Sequence, residues 1–213
     1  MKRMVVAVAA ISLMAAVGSV QASVVTFDGV SSSGNPILTT LTTEGFTFTS
    51  GHFHTVDNWG TAWMASNGTI YIGEEAGGLG LPITMAAEGG QPFSLTRFDG
   101  AELWAYEVGG YPNASYINLV GNLSGGGTVN TQFTLDGIID GAGGAADFQT
   151  FALPGTFVNL ASVTFSGAQV TGAPGAIALD NIVVNGGVIP APGALLLCGI
   201  GAGLVTWFRR RAA

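Results

Sequence analysis

The chain has 213 residues, of which only 9% are charged and 34 are glycine. A typical domain is about 25% charged and about 7% glycine, so this composition disfavours a helical bundle, a coiled coil and a charge-driven disordered chain. Residues 23–189 carry one arginine and all 13 carboxylates, a net charge of −12. Binding to nucleic acid needs Lys and Arg, so this segment is not expected to bind it, and adhesion to anionic lipid is disfavoured.

Residues 1–22 are typical of a secretory signal peptide. Lys2 and Arg3 form a positive start, the stretch 4–17 is apolar apart from one serine, and small residues precede a cleavage point between Ala22 and Ser23. An uncleaved anchor is the alternative, but the apolar stretch is short for a membrane span. The sequence therefore predicts export through the Sec machinery and cleavage by signal peptidase.

Residues 23–187 are expected to form one all-β domain, because they show no 3.6-residue apolar period and contain short alternating runs between turn residues. The clearest run is Thr128–Leu135, with Val129, Thr131, Phe133 and Leu135 on one face. The other expected strands are Val24–Phe27, Phe46–Ser50, Thr69–Ile72, Phe93–Phe98, Ala101–Val108, Tyr116–Val120, Phe148–Leu153, Ser162–Ser166 and Ala176–Val184. About ten strands predict a jelly-roll-like two-sheet β-sandwich with its first and last strands paired; a β-helix is the alternative, but no repeat period supports it.

Two histidines, His52 and His54, are separated by one residue and would share one face of an extended segment. A His-x-His pair is half of a site for Zn²⁺ or Cu²⁺, and Asp57 is near enough in sequence to act as a third ligand. The alternative is a pair of ordinary polar surface residues.

A candidate carbohydrate-binding platform consists of Trp104 and Tyr106, which share a face of the expected strand 101–108, with Glu102 beside them. Sugar rings stack on aromatic faces and hydrogen-bond to carboxylates, so this combination suits a polysaccharide. The alternative is that the aromatic rings fill the core or pack beneath loops.

Asp180 interrupts an expected strand that is apolar on both faces, and a buried carboxylate is costly unless it is paired or coordinated. One solution is a structural Ca²⁺ bound by Asp180 together with Asp28 from the start of the domain. The other is that Asp180 accepts backbone N–H bonds at a strand end.

The C-terminal segment 188–213 has three parts in a fixed order. Pro190, Ala191 and Pro192 precede a 15-residue apolar run, Ala194–Phe208, and Arg209, Arg210 and Arg211 follow it. The run predicts a transmembrane helix: it would extend about 22 Å, which is short of the hydrocarbon layer unless the arginines snorkel. The positive-inside rule keeps the arginines in the cytoplasm and places residues 23–189 across the membrane. The alternative is a buried terminal helix of a soluble domain.

This tail resembles the PEP-CTERM sorting signal of Gram-negative bacteria, with Ala191 where that family most often has Glu. The resemblance implies that an exosortase in the inner membrane recognises the tail and cuts near the proline motif. It also implies a place in exopolysaccharide, biofilm or floc.

Roughly residues 90–185 are similar to a β-sandwich region that recurs in PEP-CTERM proteins. The segments that carry this similarity are Phe93-Ser94-Leu95, Phe133-Thr134-Leu135-Asp136-Gly137, Asp147-Phe148-Gln149-Thr150-Phe151, Val163-Thr164-Phe165 and Ala178-Leu179-Asp180-Asn181-Ile182. This resemblance implies a fold more than an activity.

Together these features predict an exported protein that is held briefly in the inner membrane with its domain in the periplasm. It then reaches the cell surface or extracellular matrix, where its role is structural or carbohydrate-associated. A secreted glycan-active enzyme is the alternative, although neighbouring acids such as Glu74 and Glu75 need not face one cleft. A ligand-free spacer is the third possibility.

Overall fold

A computed structural model of the chain describes residues 22–32, 36–56, 64–74, 81–104, 112–138 and 147–185. All of them belong to one compact unit that spans Ala22–Gly186. Apart from a short 3-10 turn at Glu88–Gly90, the regular structure of these residues is β-strand. The strands are β1 (Ala22–Val25), β2 (Ile37–Thr43), β3 (Phe46–Val56), β4 (Tyr71–Glu74), β5 (Ile83–Ala87), β6 (Ser94–Glu102), β7 (Tyr116–Leu123), β8 (Thr128–Thr134), β9 (Gln149–Ala152), β10 (Leu160–Ala168) and β11 (Ile177–Asn185).

The strands form one antiparallel sheet in the order β8-β7-β10-β5-β3-β4-β11-β6-β9, with β1 paired to β11 and β2 paired to β3. Strand β3 joins the two halves of this sheet. Its segment 46–49 pairs with β5, while its segment 54–56 pairs with β4. Because β2 pairs with Thr49 and His54 from the opposite edge, β4 and β5 follow one another along the same edge of β3.

Aromatic rings bring the two ends of the sheet together. Phe133 on β8 and Phe151 on β9 lie at opposite ends of the strand order, yet their ring centroids are 5.0 Å apart. Phe98 on β6 contacts both rings and also Phe165 on β10. The sheet is therefore curled until it nearly closes into a barrel, with side chains instead of hydrogen bonds across the seam.

Alternation along the strands divides the buried residues into two clusters. The larger fills the inside of the barrel and includes Phe48, Phe98, Phe165 and Leu179. The smaller lies on the opposite face of β4, β6 and β11, and its members are Val56, Met64, Ala65, Tyr71, Ala101, Leu103, Trp104, Ala176 and Ala178. Strand β11 is therefore buried on both faces, which explains why its sequence is almost continuously apolar.

The all-β prediction is confirmed, and so is the pairing of the first and last strands, since Ala22 lies opposite Asn185. Three details differ from the sequence predictions. One continuous sheet replaces two separate ones, and two strands that the sequence did not predict (β2 and β5) are present. In addition, β6 runs straight through Asp99-Gly100, between two strands that the sequence predicts as separate (Phe93–Phe98 and Ala101–Val108). Asp99 stays in the ladder because its carboxylate accepts hydrogen bonds from Thr150 and Asn181.

The flanking helices of the sequence prediction, a signal helix in 1–22 and a transmembrane helix in 188–213, fall almost entirely outside the described residues. Within the part of the chain that the structure describes, no helix has the length and hydropathy needed to cross a bilayer. Ala22 and Ser23, the predicted cleavage pair, are the first residues of β1. Both helices, the cleavage point and the sorting motif stay predictions.

Candidate functional site

One outward face of the sheet is made of small polar side chains from six adjacent strands, β2, β3, β5, β10, β7 and β8. We call it the polar face. Its polar members are Thr40, Thr42, Thr47, Thr49, Thr84, Asn118, Asn122, Thr128, Asn130, Gln132, Ser162, Thr164 and Ser166, and the apolar Val120 lies among them. They are exposed or half-exposed, whereas their neighbours in sequence on β3, β5, β7 and β10 point into the core.

Ladder register aligns these side chains in rows that run across the strands. The central row is Thr40, Thr49, Thr84, Thr164, Val120 and Asn130. Six strands at a spacing of about 4.8 Å give a face about 24 Å wide. Its side chains are also bonded to one another: Thr84 Oγ1 lies 3.0 Å from Thr164 Oγ1, and Gln132 Nε2 donates to Asn118 Oδ1 at 2.7 Å. The face is therefore ordered and presents both donors and acceptors.

The six strands that build the polar face contain no Asp, Glu, Lys or Arg. Of the described acids near these strands, Glu44 lies in the turn between β2 and β3 and Glu88 lies in the turn after β5; Asp57, which follows β3, lies outside the described residues. This neutrality is unusual because the whole segment 23–189 carries a net charge of −12. Among the described residues, the charged side chains lie in turns and loops and in the other half of the barrel.

The predicted platform of Trp104, Tyr106 and Glu102 lies elsewhere, and its described members are buried. Trp104 is 8% exposed and packs in the smaller cluster, and Glu102 is 2% exposed. Asn113 fixes the Trp104 backbone, since its side chain accepts from the Trp104 N–H and donates to the Trp104 carbonyl. Tyr106 lies outside the described residues. Stacking of a sugar on Trp104 stays a prediction, and it requires the residues that cover the Trp104 ring to move away first.

Asp180 is 1% exposed and receives three hydrogen bonds. Asn67 Nδ2 and Thr69 Oγ1 donate to its Oδ2 at 2.7 and 2.8 Å, and the Asn181 N–H donates to its Oδ1 at 2.8 Å. Asn181 has a φ of 47°, and the β11–β6 register shifts after Asp180. The Asp-Asn pair therefore marks a β-bulge, where the extra residue turns and both side chains find partners.

The calcium hypothesis for Asp28 and Asp180 stays a prediction. The two carboxylates interact electrostatically, and Asp28 Oδ1 accepts from the Ile70 N–H at 3.1 Å. However, the three donors around Asp180 give the buried carboxylate hydrogen-bond partners without a metal ion, and these bonds oppose the rise in its pKa that burial causes. Among the described residues, no group of three or more His, Cys, Asp or Glu side chains is placed to hold a metal ion.

Burial raises the pKa of the Glu102 carboxyl, and the charges of Asp136 and Asp147 raise it further. The hydrogen bond that the Gly137 N–H donates to this carboxyl lowers the pKa, but by less than the rise. A raised folded-state pKa means that the folded protein binds this proton more tightly than the unfolded chain does. This contribution to stability is complete below the unfolded pKa and is lost as pH rises through the folded pKa.

We therefore expect Glu102→Gln to gain stability relative to the wild type as the pH is raised from 4 to 7. The measurement is the free energy of unfolding in urea at several pH values. Glu88→Gln, on the exposed turn, controls for removing one negative charge. A difference between Glu102→Gln and wild type that stays constant with pH would contradict the assignment.

Comparison with known proteins does not place the chain in a family. No family model matches it, and no curated protein matches it. Among solved structures, a DUF4465 family protein from Bacteroides caccae is similar at 16% identity and a TM-score of 0.49, over 77% of this chain and 98% of that one. A family 29 carbohydrate-binding module, as its D114A mutant, is similar at 12% identity and a TM-score of 0.43, over 78% of this chain and 85% of that one. A family 11 carbohydrate-binding module from Clostridium thermocellum is similar at 12% identity and a TM-score of 0.35, over 74% of this chain and 97% of that one. Likenesses this distant carry no argument about function.

Proposed function

We propose that this chain is an exported, non-catalytic protein of the extracellular matrix, and that its barrel-like β domain associates with uncharged polysaccharide through the polar face. The observation that carries the proposal is the absence of ionic side chains from six adjacent strands of an otherwise acidic domain. A face that only had to keep the protein soluble would be expected to carry interspersed charges on about a quarter to a third of its residues.

The chemistry of the polar face matches that of a neutral sugar polymer. Hydroxyls and primary amides both donate and accept hydrogen bonds, as sugar hydroxyls do. Each such bond contributes only about 0.5–1.5 kcal/mol net, so useful affinity requires many contacts along a chain. A face about 24 Å wide can provide several contacts at once, and a repeating polymer can occupy it in many equivalent positions.

The sequence supports the route by which the domain would reach such a polymer. Residues 1–22 supply the signal for the Sec machinery and signal peptidase. The tail with Pro190, Ala191, Pro192 and Arg209–Arg211 supplies the sorting signal for an exosortase in the inner membrane. We propose that this processing delivers residues 23–187 through the periplasm to the cell surface or the surrounding exopolysaccharide and biofilm.

A non-catalytic role is proposed because two candidate acids face the interior. Glu74 and Glu102 flank Ile177 across three adjacent strands, and they are 1% and 2% exposed. A glycoside hydrolase needs two carboxyl groups that reach the substrate from either side of the scissile bond. Buried carboxyls inside a barrel do not meet that requirement.

The proposal is tested by placing charge on the polar face. We expect wild-type protein to be retarded in native gels that contain neutral polymers, namely dextran, a galactomannan or hydroxyethylcellulose. The double variant Thr49→Glu/Asn130→Glu should bind about tenfold more weakly, because sugar contact would strip water from two unpaired carboxylates.

The matched control is Gln91→Glu/Thr171→Glu, which adds the same two charges at exposed positions outside the polar face. It should behave like wild type. Equal loss in both double variants, retardation by acidic alginate alone, or no retardation by any polymer would overturn the proposal. The last result would favour the ligand-free spacer.

A further inference from the structure

The only two histidines of the chain, His52 and His54, meet on one face of β3. Residues two apart in a strand point to the same side, so the spacing brings the rings together. Their Nε2 atoms are 3.1 Å apart, and their ring centroids are 4.9 Å apart with an interplanar angle of 49°. His54 is 6% exposed, and His52 is partly exposed to solvent.

The distances fit two rings that point at a common atom. With metal–nitrogen bonds of about 2.05 Å, an Nε2 separation of 3.1 Å corresponds to an N–metal–N angle of about 98°. This value lies between the square-planar and tetrahedral angles. Two imidazoles arranged in this way would have ring centroids about 4.8 Å apart, close to the observed 4.9 Å. In the structure the same 3.1 Å contact is a hydrogen bond between the two rings, which is bent because a straight N–H···N bond would separate the centroids by about 5.4 Å; a bound ion would replace that hydrogen bond.

We propose that His52 and His54 form a two-imidazole binding site for a late first-row divalent ion, with Cu²⁺ held most tightly and water completing the coordination. The site requires both Nε2 atoms to be deprotonated, with the proton of each ring on Nδ1. Imidazole nitrogen suits Cu²⁺, Ni²⁺ and Zn²⁺, and the general order of affinity places Cu²⁺ first. The inference does not depend on polysaccharide binding, because neither histidine belongs to the polar face.

The strand framework holds the two ligands in place. His54 lies between Ile37 of β2 and Gly73 of β4 in the ladder, so its backbone is fixed from both edges. The Ser50 Oγ lies 3.4 Å from both the backbone nitrogen and the carbonyl oxygen of His52, and these contacts hold the backbone of His52 in place. An ion therefore meets rings that are already converged, and the partial exposure of His52 provides its way in from solvent.

The test uses the full chain in detergent, titrated with CuCl₂ at pH 7.5 and followed by electron paramagnetic resonance and calorimetry. We expect saturable binding of one Cu²⁺ per chain, with hyperfine splitting from two nitrogens. His52→Ala and His54→Ala should each weaken binding by about tenfold or more, because one imidazole alone loses the chelate.

Controls separate this site from other ligands and from misfolding. Cys198→Ser removes the one thiol of the chain, and Gln91→Ala alters an exposed polar side chain outside both the histidine pair and the polar face; both should bind as wild type does. The less buried His52→Ala variant should keep the wild-type melting temperature in metal-free buffer. Absence of saturable binding, or binding that survives either histidine substitution, would overturn the proposal and leave the pair as a hydrogen bond between two rings.

Discussion

Gly167→Ala is expected to lower the free energy of unfolding by about 3 kcal/mol or more, the upper end of the cost of overpacking a core. A methyl group at this position would overlap the carbonyl oxygen of Gly175 and would lie 2.7 Å from Ile177 Cγ2 and 2.9 Å from Ala114 Cβ. The two backbone segments are in direct contact here, because the chain after β10 folds back and the Gly175 N–H donates to the Gly167 carbonyl. Moving them apart would break this hydrogen bond or the pairing of β10 with β7.

Gly155→Ala is the matched control for this prediction. Gly155 lies in an exposed turn, its φ is not positive, and an added methyl group would meet nothing within 4 Å. Urea unfolding of both variants should show a change of about 0.5 kcal/mol or less for Gly155→Ala. Similar stability losses in the two variants would show that β10 and residue 175 are not packed as described.

Phe98→Ala is expected to cost about 3–5 kcal/mol, as is usual for removing a fully buried aromatic side chain. The Phe98 ring is completely buried, and its centroid lies 5.6 Å from Phe133, 5.3 Å from Phe151 and 5.4 Å from Phe165. These contacts join the end strands β8 and β9 to β6 and β10, across the seam of the barrel. Removing the ring would therefore loosen the seam as well as leave a cavity.

Val170→Ala, at a position that is 76% exposed, provides the reference for a truncation that should have little effect. Thermal unfolding would measure both variants, with the binding of a hydrophobic dye reporting any opening of the seam. If Phe98→Ala melted within a degree or two of Val170→Ala, the aromatic seam could not be what brings β8 and β9 together.

The sequence predicted those parts of the fold that depend on local alternation. The run Thr128–Leu135 has one apolar and one polar face, and it became β8 with the same residues turned inward. The apolar segment 176–184 became β11, buried on both faces. Such strands can be identified from sequence because a strand buried on one face alternates apolar and polar residues, whereas a strand buried on both faces is apolar throughout.

Tertiary context decided the features that local patterns missed. Asp99-Gly100 looks like a turn, yet Gly100 lies in the middle of β6, where an added Cβ would lie 2.7 Å from Ile117 Cδ1. A glycine there serves close packing instead of chain reversal. Strand β2 was missed because it is largely exposed to solvent on both faces. Its Thr-rich sequence therefore shows only weak alternation of apolar and polar residues.

The candidate sites show the same division. The shared face of His52 and His54 follows from their spacing, and the structure brings their rings together. Burial of Trp104 depends on Met64 and Ala65 packing beside it, and no local pattern reports that. The polar face could not be seen as one surface, because its six strands become neighbours only through the ladder register. Its available signal was the lack of charge in each of those strands.

The pairing of Ser23 with Val184 determines how the domain would respond to mechanical load. Because β1 and β11 are antiparallel, a pull between residues 23 and 185 acts on the end of their ladder. The hydrogen bonds between β1 and β11 would then break one after another from that end, instead of sharing the load as they would in shear. A protein stretched through these two points would yield first by peeling β1 away, while a load applied through residue 185 and the far side of the barrel would meet the cooperative resistance of the remaining sheet.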